Sequence, residues 1–384
     1  MLSAITLAFP FIILVAVLLF YKWRFRSLFP VESPIPKSVQ SGPAQHAQAA
    51  ILRSKKGPYI LVHDYPRPRI SSKEILIRNR AVGLNPIDWK CVTYGFGVHE
   101  LPWISGRESA GVVEEVGADV NDFQIGERVW VASTNYRDNR TSTFQEYVAA
   151  LPFNVGRLPD WISFEQGATL GVACVAAAGA LYDSLAIPWP TNPPYTCGFE
   201  AVVEQDRPWI LIWGASSVTG MMAIQFAKLS NLRVFAVAGS HNSPDLYNLG
   251  ANVVVDRHKP EEVLEKARNL RIELGVDCIG KETATYAVRA LQPGSKLVYL
   301  VQRPDQDALE QAGTEATDVL IKRFHEDQTY GSNLVNFLSH HLFAQTLRPV
   351  KFEIVEGGLG AIEEGLQRLR DQAVSGKRLI VRVE

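Results

Sequence analysis

The chain has 384 residues, room for two or three domains, and its 47% apolar and 21% charged residues are enough to pack and solvate a core. A net charge of -1 gives no overall field for nucleic acid. The four cysteines, Cys91, Cys174, Cys197 and Cys278, form no CxxC pair, which argues against a disulfide framework or a closed zinc site and for reduced thiols in a reducing compartment.

Residues 4–21 run from Ala4 to Tyr21 without a charge. That is just long enough to cross a bilayer core of roughly 20 apolar residues. Lys22, Arg24 and Arg26 follow directly, with Trp23 at interface depth. The positive flank predicts a single-pass membrane anchor over 1–26 with all that follows facing the cytosol; the endoplasmic reticulum is the membrane expected for it, though neither run nor flank identifies the organelle. A cleaved signal peptide fits less well, because its basic residues precede the apolar run and a small-residue site ends it. Pro30, Pro34, Pro36 and Pro43 mark 27–45 as a semi-rigid linker. The sequon Asn139-Arg140-Thr141 is idle on the cytosolic side.

From 46 to 182 short alternating runs dominate. Glu74–Arg78, Gly111–Val116 and Arg128–Ala132 read as strands, punctuated by glycine, and the segment reads as a mostly β unit. Asp88 and Lys90, two apart, are as a bare pair an ordinary solvated loop.

The segment 183–310 alternates differently. Residues 186–207, with Pro188, Pro190, Pro193 and Pro194, read as a surface loop. Trp209–Trp213 is a buried parallel strand, Gly214–Gly220 a turn of small residues, Met221–Leu229 a helix and Arg233–Val237 a second strand. Such a βαβ unit is a dinucleotide site: small residues admit the pyrophosphate, and the helix N-terminus supplies N–H donors. The strict GxGxxG is degenerate, with Ala215 and Ser217 ahead of Gly220. The strand–turn–helix context nevertheless selects Ser216, Ser217, Val218 and Thr219 as cofactor contacts. An acidic residue ending the second strand would hold a ribose 2′-OH and repel a 2′-phosphate. Ser240, His241 and Asn242 stand there instead, with no carboxylate before Asp245, so NADPH is expected. Arg257 adds charge, or stacks on adenine. Any of the four is otherwise an ordinary polar turn residue, as Ser and Asn often are. Helix Glu261–Arg271, strand Gly275–Ile279, helix Thr283–Leu291 and strand Lys296–Val301 continue the alternation. In the last segment, 311–384, a helix from Gly357 to about Val374 leads through Ser375-Gly376-Lys377 to a final strand.

Three pieces carry a resemblance: Gly83-Leu84-Asn85-Pro86-Ile87-Asp88-Trp89-Lys90, then Gly106-Arg107-Glu108-Ser109-Ala110-Gly111 running on to Gly117, then Gly126-Glu127-Arg128-Val129-Trp130. In this order they resemble the GroES-like catalytic domain of the medium-chain dehydrogenase/reductase superfamily. The resemblance implies an α/β protein: a β-rich GroES-like domain (46–182, completed by 311–384) and a doubly wound Rossmann domain (183–310), behind the transmembrane helix. Where relatives bind catalytic zinc through Cys and His, this chain has Asn85 and Arg107, and the four-cysteine structural lobe is missing. Cys174 matches a third ligand position, or is simply a small buried residue. No metal is therefore expected. Without a Lewis acid for a carbonyl or alcohol, hydride addition to a conjugated C=C becomes the favoured chemistry. The resemblance also assigns Ile87, Asp88, Trp89, Lys90, Leu300, Val301, Gly376 and Lys377 to the cofactor; Lys377 is otherwise part of a plain turn.

Within the superfamily, Ser216–Thr219, Ser240-His241-Asn242, Asp277-Cys278-Ile279 and Ser375-Gly376-Lys377 resemble the trans-acting enoyl reductases of fungal polyketide clusters. That implies reduction of an α,β-unsaturated thioester carried by a partner polyketide synthase. The chain departs from the pattern at Arg257, where Tyr is usual, and at Val172–Ala178, which lacks the usual Ser or Thr. Water, Tyr94 or Tyr299 would protonate the α-carbon. The alternatives are a stand-alone quinone or alkenal reductase and a non-catalytic membrane scaffold on the same fold.

Overall fold

The computed structural model describes residues 46–135, 137–190 and 206–383. The expected anchor, the linker and Cys197 lie outside the described residues.

The first part of the chain runs through β1 (His46–Leu52), β2 (Tyr59–Pro66), β3 (Ile75–Gly83), helix α1 (Pro86–Tyr94), β4 (Trp103–Ile104), β5 (Glu108–Val116), β6 (Arg128–Val131), β7 (Tyr147–Ala150), β8 (Val155–Arg157) and helix α2 (Gly171–Ala178). β2, β1 and β4 form a small antiparallel sheet. β3 is the spine of the larger one. Its apolar residues Ile75, Leu76, Ile77, Ala81 and Val82 are wholly buried, and it pairs with both β5 and β7. A strand buried on both faces reads as a continuous apolar run. α2 continues as a π-helical turn, Gly179–Ser184. Among the described residues the stretch Phe164–Ser184 alone is long and apolar enough to cross a membrane, but 78% of it is buried within the protein, as befits a core helix.

The second part holds β9 (Trp209–Trp213), helix α3 (Val218–Leu229), β10 (Arg233–Ala238), β11 (Val253–Asp256), β12 (Leu274–Asp277), helix α4 (Lys281–Ala290), β13 (Lys296–Tyr299) and β14 (Glu315–Asp318). The sheet order is β11-β10-β9-β12-β13-β14, all parallel, so the winding reverses between β9 and β12. This is the doubly wound topology that binds dinucleotides at the carboxyl ends of its central strands. One face packs through Ile210, Ile212, Phe226 and Val298, the other through Leu211, Phe235, Val288 and Leu297.

The boundary expected at 310 falls too early. β14 lies beyond it, and helix α5 (Gln328–Phe343) packs Leu334, Phe337 and Leu338 into the same core as Phe226 and Tyr182. β14, Glu-Ala-Thr-Asp, is a polar edge strand with no apolar run to reveal it. The return to the first domain comes with β15 (Phe352–Ile354) and β16 (Arg378–Arg382). β16 lies between β15 and β3, pairing Ile380, Val381 and Arg382 with Gly83, Val82 and Ala81.

Candidate functional site

The crevice between β9 and β12 opens on the turn after β9. Ser217 caps α3, its hydroxyl accepting from the Gly220 N–H at 3.0 Å. A Cβ on Gly220 would stand 2.5 Å from the Gly214 carbonyl oxygen, so only glycine lets the helix start this close to the turn. Ser216, Ser217, Val218 and Thr219 are all partly exposed at this helix start. Across the crevice Cys278 follows β12; burial pushes its thiol up to about 12. The small-residue turn, the N-terminus of a 12-residue helix and the strand order together fit a dinucleotide pyrophosphate.

The end of β10 carries the residues expected at the 2′-phosphate. Ser240–Asn242 form a single 3-10 turn. His241 Nε2 lies 3.3 Å from the Ser375 hydroxyl, and Asn242 Nδ2 donates to that hydroxyl at 3.1 Å. Two expected cofactor segments therefore meet across the domain boundary. Gly376 has φ 68°, and a Cβ there would lie 2.4 Å from Asn242 Oδ1, so the turn admits only glycine. Lys377 turns the other way: its ammonium donates to Glu353 at 2.6 Å, beside Arg368 on the same carboxylate. Arg257 is exposed and donates through Nε to His258. Val301 is 42% exposed, while Leu300 and Tyr299 are half-buried at the end of β13.

In the first domain, Asn85 is extended and Pro86 opens α1, its missing N–H costing nothing in the first turn. Asp88 closes that turn by accepting from the Asn85 N–H at 2.9 Å. Its carboxyl is 1% exposed, and burial pushes it up to about 6 against the opposing pull of Arg107. Arg107 Nε stands 3.8 Å from Asp88 Oδ1, and its Nη2 donates to Cys91 Sγ at 3.4 Å. Lys90 is half-buried 5.8 Å from the Trp89 ring, burial lowering its ammonium pKa. Ile87 is half-buried beside it. Tyr94, at the end of α1, is 68% exposed, with its ring 6.3 Å from Trp89. No contact joins Tyr94 to Tyr299 among the described residues.

The positions matched to zinc ligands carry a different assembly. Glu108, fully buried, accepts from Asn85 Nδ2 at 2.9 Å and from the Val172 N–H at 2.7 Å, and pairs with Arg378 Nε at 3.1 Å. Arg378 donates through Nη1 to Asn85 Oδ1 at 2.7 Å and to the Leu84 carbonyl at 3.1 Å. Burial pushes the Glu108 carboxyl up and the Arg378 charge pulls it back. Cys174 is wholly buried, and desolvation raises its thiol far above the usual range. Among the described residues no cluster of three His, Cys, Asp or Glu side chains is gathered as a metal would need.

Sequence reasoning missed three members of this region. Glu108 lay inside the quoted Gly-Arg-Glu-Ser segment without a role. Ser133, just past β6, lies 3.3 Å from His325 Nε2, and neither had been singled out. His325 is half-buried, and desolvation, then the Arg107 charge, pushes it down to about 4. It sits in the short turn Arg323–Glu326, which has no periodicity to flag it.

Comparison with known proteins agrees with this architecture. Residues 71–178 match the alcohol dehydrogenase GroES-like domain and residues 219–333 the zinc-binding dehydrogenase domain. A trans-enoyl reductase of Aspergillus sclerotiorum is 32% identical over 87% of this chain and 99% of its own length. One from Alternaria alternata is 31% identical over 85% and 96%. Among solved structures, an alcohol dehydrogenase superfamily protein from Novosphingobium aromaticivorans superposes with TM-score 0.74 at 21% identity, over 88% of this chain and 100% of that one. Escherichia coli quinone oxidoreductase, solved with NADPH, superposes with TM-score 0.69 at 19% identity, over 87% and 100%. Fold, domain matches and full-length likeness agree, and the chain belongs to the trans-enoyl reductases of the medium-chain dehydrogenase/reductase superfamily.

Proposed function

We propose that this protein reduces the conjugated C=C bond of an enoyl thioester carried by a separate polyketide synthase, with NADPH as reductant. The observation that carries the reading is the dinucleotide crevice beside a GroES-like domain whose metal positions hold Asn85 and Arg107. The likeness to fungal trans-enoyl reductases over nearly their whole length supports it. NADPH, when bound, supplies a hydride for the β-carbon. The turn 214–219 and the start of α3 receive the pyrophosphate. Ser240, His241 and Asn242 donate to the 2′-phosphate, and Ser375 braces His241 and Asn242 from the other domain. Ile87–Lys90 and Leu300–Val301 border the nicotinamide. Tyr94 is open to solvent, so water reaches the same region, and either can supply the α-proton.

The test is a fluorescence titration of the full-length chain with NADPH and NADH, followed by turnover of enoyl thioesters, quinones and small alkenals. NADPH binding more than about tenfold tighter than NADH, a difference of about 1.4 kcal/mol, with enoyl thioester reduction is the expected result. Turnover of quinones alone would return the stand-alone reductase, and binding of neither cofactor the non-catalytic scaffold.

Residues 4–21 are proposed to anchor this enzyme in a membrane, the endoplasmic reticulum being the expected one, with its catalytic part in the cytosol. The charge-free run and its basic flank support the anchor and its orientation. Release of the full-length chain from membranes by alkaline carbonate would refute it.

A further inference from the structure

We propose that the tip of the β1–β2 hairpin and the loop after α1 form one docking face for an anionic phospholipid surface; this rests on the reading of 4–21 above as a membrane anchor. The hairpin tip runs Arg53-Ser54-Lys55-Lys56-Gly57-Pro58, and Arg53, Lys55 and Lys56 are all exposed. Among the described residues none of the three has an ion pair or a side-chain hydrogen bond. The loop after α1 brings Tyr94, Phe96 and Leu101, and β2 adds Ile60, four large side chains left in solvent. Three contacts join the two segments. Lys56 Cε lies 4.0 Å from where a Cβ on Gly95 would stand. Tyr59 Oη donates to the Asp88 carbonyl at 3.3 Å. Leu52 pairs with Trp103, whose ring meets that of His99 at 5.4 Å. Glu100 is the one acid within 53–60 and 94–101, against three cations.

Exposed apolar side chains rimmed by charge mark an interaction site. Cations interleaved with aromatic rings suit a bilayer interface, where the charges meet anionic headgroups and the rings sit at headgroup depth. On a chain of net charge -1 the clustering is local, not a reflection of composition. The order of the chain favours a membrane over a protein partner. The charge-free run ends in Lys22, Arg24 and Arg26, and residues 27–45, which can span at most about 65 Å, lead directly to His46 at the start of β1. A tethered face meets the surface at an effective concentration in roughly the millimolar range, so a contact too weak to hold a free protein becomes occupied. Each Lys or Arg near an anionic cytosolic leaflet shifts docking by about fivefold, and three by about 100-fold. α1 carries this face at its end and the residues proposed at the nicotinamide at its start, about 13 Å apart. Docking therefore holds the cofactor crevice within one short helix of the bilayer.

The experiment adds the full-length chain to vesicles of phosphatidylcholine alone and of phosphatidylcholine with phosphatidylserine. Flotation reports the anchor, and amide hydrogen exchange reports the face. The expected result is flotation with both kinds, and exchange within 53–58 and 94–101 at least about fivefold slower on the phosphatidylserine vesicles. Salt at about 1 M, which shortens the screening length to about 3 Å, should erase that difference. Lys55→Glu/Lys56→Glu should erase it too, with flotation and melting temperature unchanged and NADPH affinity within about threefold of wild type. Equal exchange at both segments on the two kinds of vesicle overturns the proposal and leaves the anchor standing. So does protection that appears with a soluble acyl carrier protein of a polyketide synthase and not with phosphatidylserine, since the face then belongs to an acidic protein partner. A chain that floats with neither kind overturns the anchor reading, and this one with it.

Discussion

Replacing Glu108 by alanine removes the anion on which four segments converge: β5, α2, the turn before α1, and β16. The Glu108 and Arg378 side chains are 0% and 5% exposed, so bulk water does not screen the charge left behind. The change leaves Arg378 without its counter-charge and the Asn85 amide and Val172 N–H without an acceptor. Breaking a buried ion pair by deleting one partner costs about 3–5 kcal/mol. Arg378 keeps its bonds to Leu84 and Asn85, which argues for the lower end, about 3 kcal/mol. That is a large share of the roughly 5–15 kcal/mol by which a domain is stable. Urea unfolding of wild type, Glu108→Ala, Arg378→Met and Glu108→Leu/Arg378→Met reads it directly. The double variant should recover part of the loss, because no charge is left stranded, while the Asn85 amide and the Val172 N–H still lack an acceptor. A Glu108→Ala loss under about 1 kcal/mol, or a double variant no better than the single ones, would refute the reasoning.

Other changes test the cofactor crevice and its electrostatics. Gly220→Ala drives a Cβ into the Gly214 carbonyl, so it should cost about 1–3 kcal/mol of stability and most NADPH affinity; isothermal calorimetry showing unchanged affinity would contradict the close approach. Ser240→Asp sets a carboxylate at the end of β10 and should weaken NADPH by at least about tenfold while sparing NADH, read by fluorescence titration. Asp277 is fully buried, and desolvation raises its carboxyl from 3.8 to about 6. Between those values the folded state holds the extra proton, so the group makes the protein less stable as pH rises from about 4 to about 6, and the penalty persists above. Asp277→Asn keeps an acceptor for the Ile279 and Gly280 N–H groups, so its melting temperature should exceed that of wild type above pH 6 and converge with it near pH 4. Parallel melting curves across that range would rule this out.

What the sequence made legible was local. Trp209–Trp213, the small-residue turn and the following helix declare themselves within some twenty positions, because a buried parallel strand and a glycine at a helix start have few alternatives. At Ser240-His241-Asn242 the sequence offers only an absence, the missing acidic residue, and not the contact to Ser375. β14 escaped because its four residues carry no apolar pattern. Helix α5 carries a helical signal of its own, with Tyr330, Leu334, Leu338 and Leu342 buried at every fourth position. The contacts that build the site are long-range: Glu108 with Arg378, His241 with Ser375, Ser133 with His325. Each needs the tertiary fold before it exists, so no spacing rule could find it. Lys377 shows the opposite limit, since its position matched the expectation while its ammonium went to Glu353.

The place of β16 has a consequence for how the protein is made. The parallel sheet, β9 to β14, ends at Asp318 and is therefore complete in the nascent chain well before β16, Arg378–Arg382, is made. It can fold during elongation, as domains generally do. The first domain emerges earlier but must wait, because β7 covers only Ile75–Arg78 on one flank of β3 and the rest of that flank is paired when Arg378–Arg382 are released. Until then Ala81–Gly83 present a short unpaired edge, a template for misassociation. The first domain is thus begun before the parallel sheet and closed after it, and loss of β16 would injure a strand made far ahead of it.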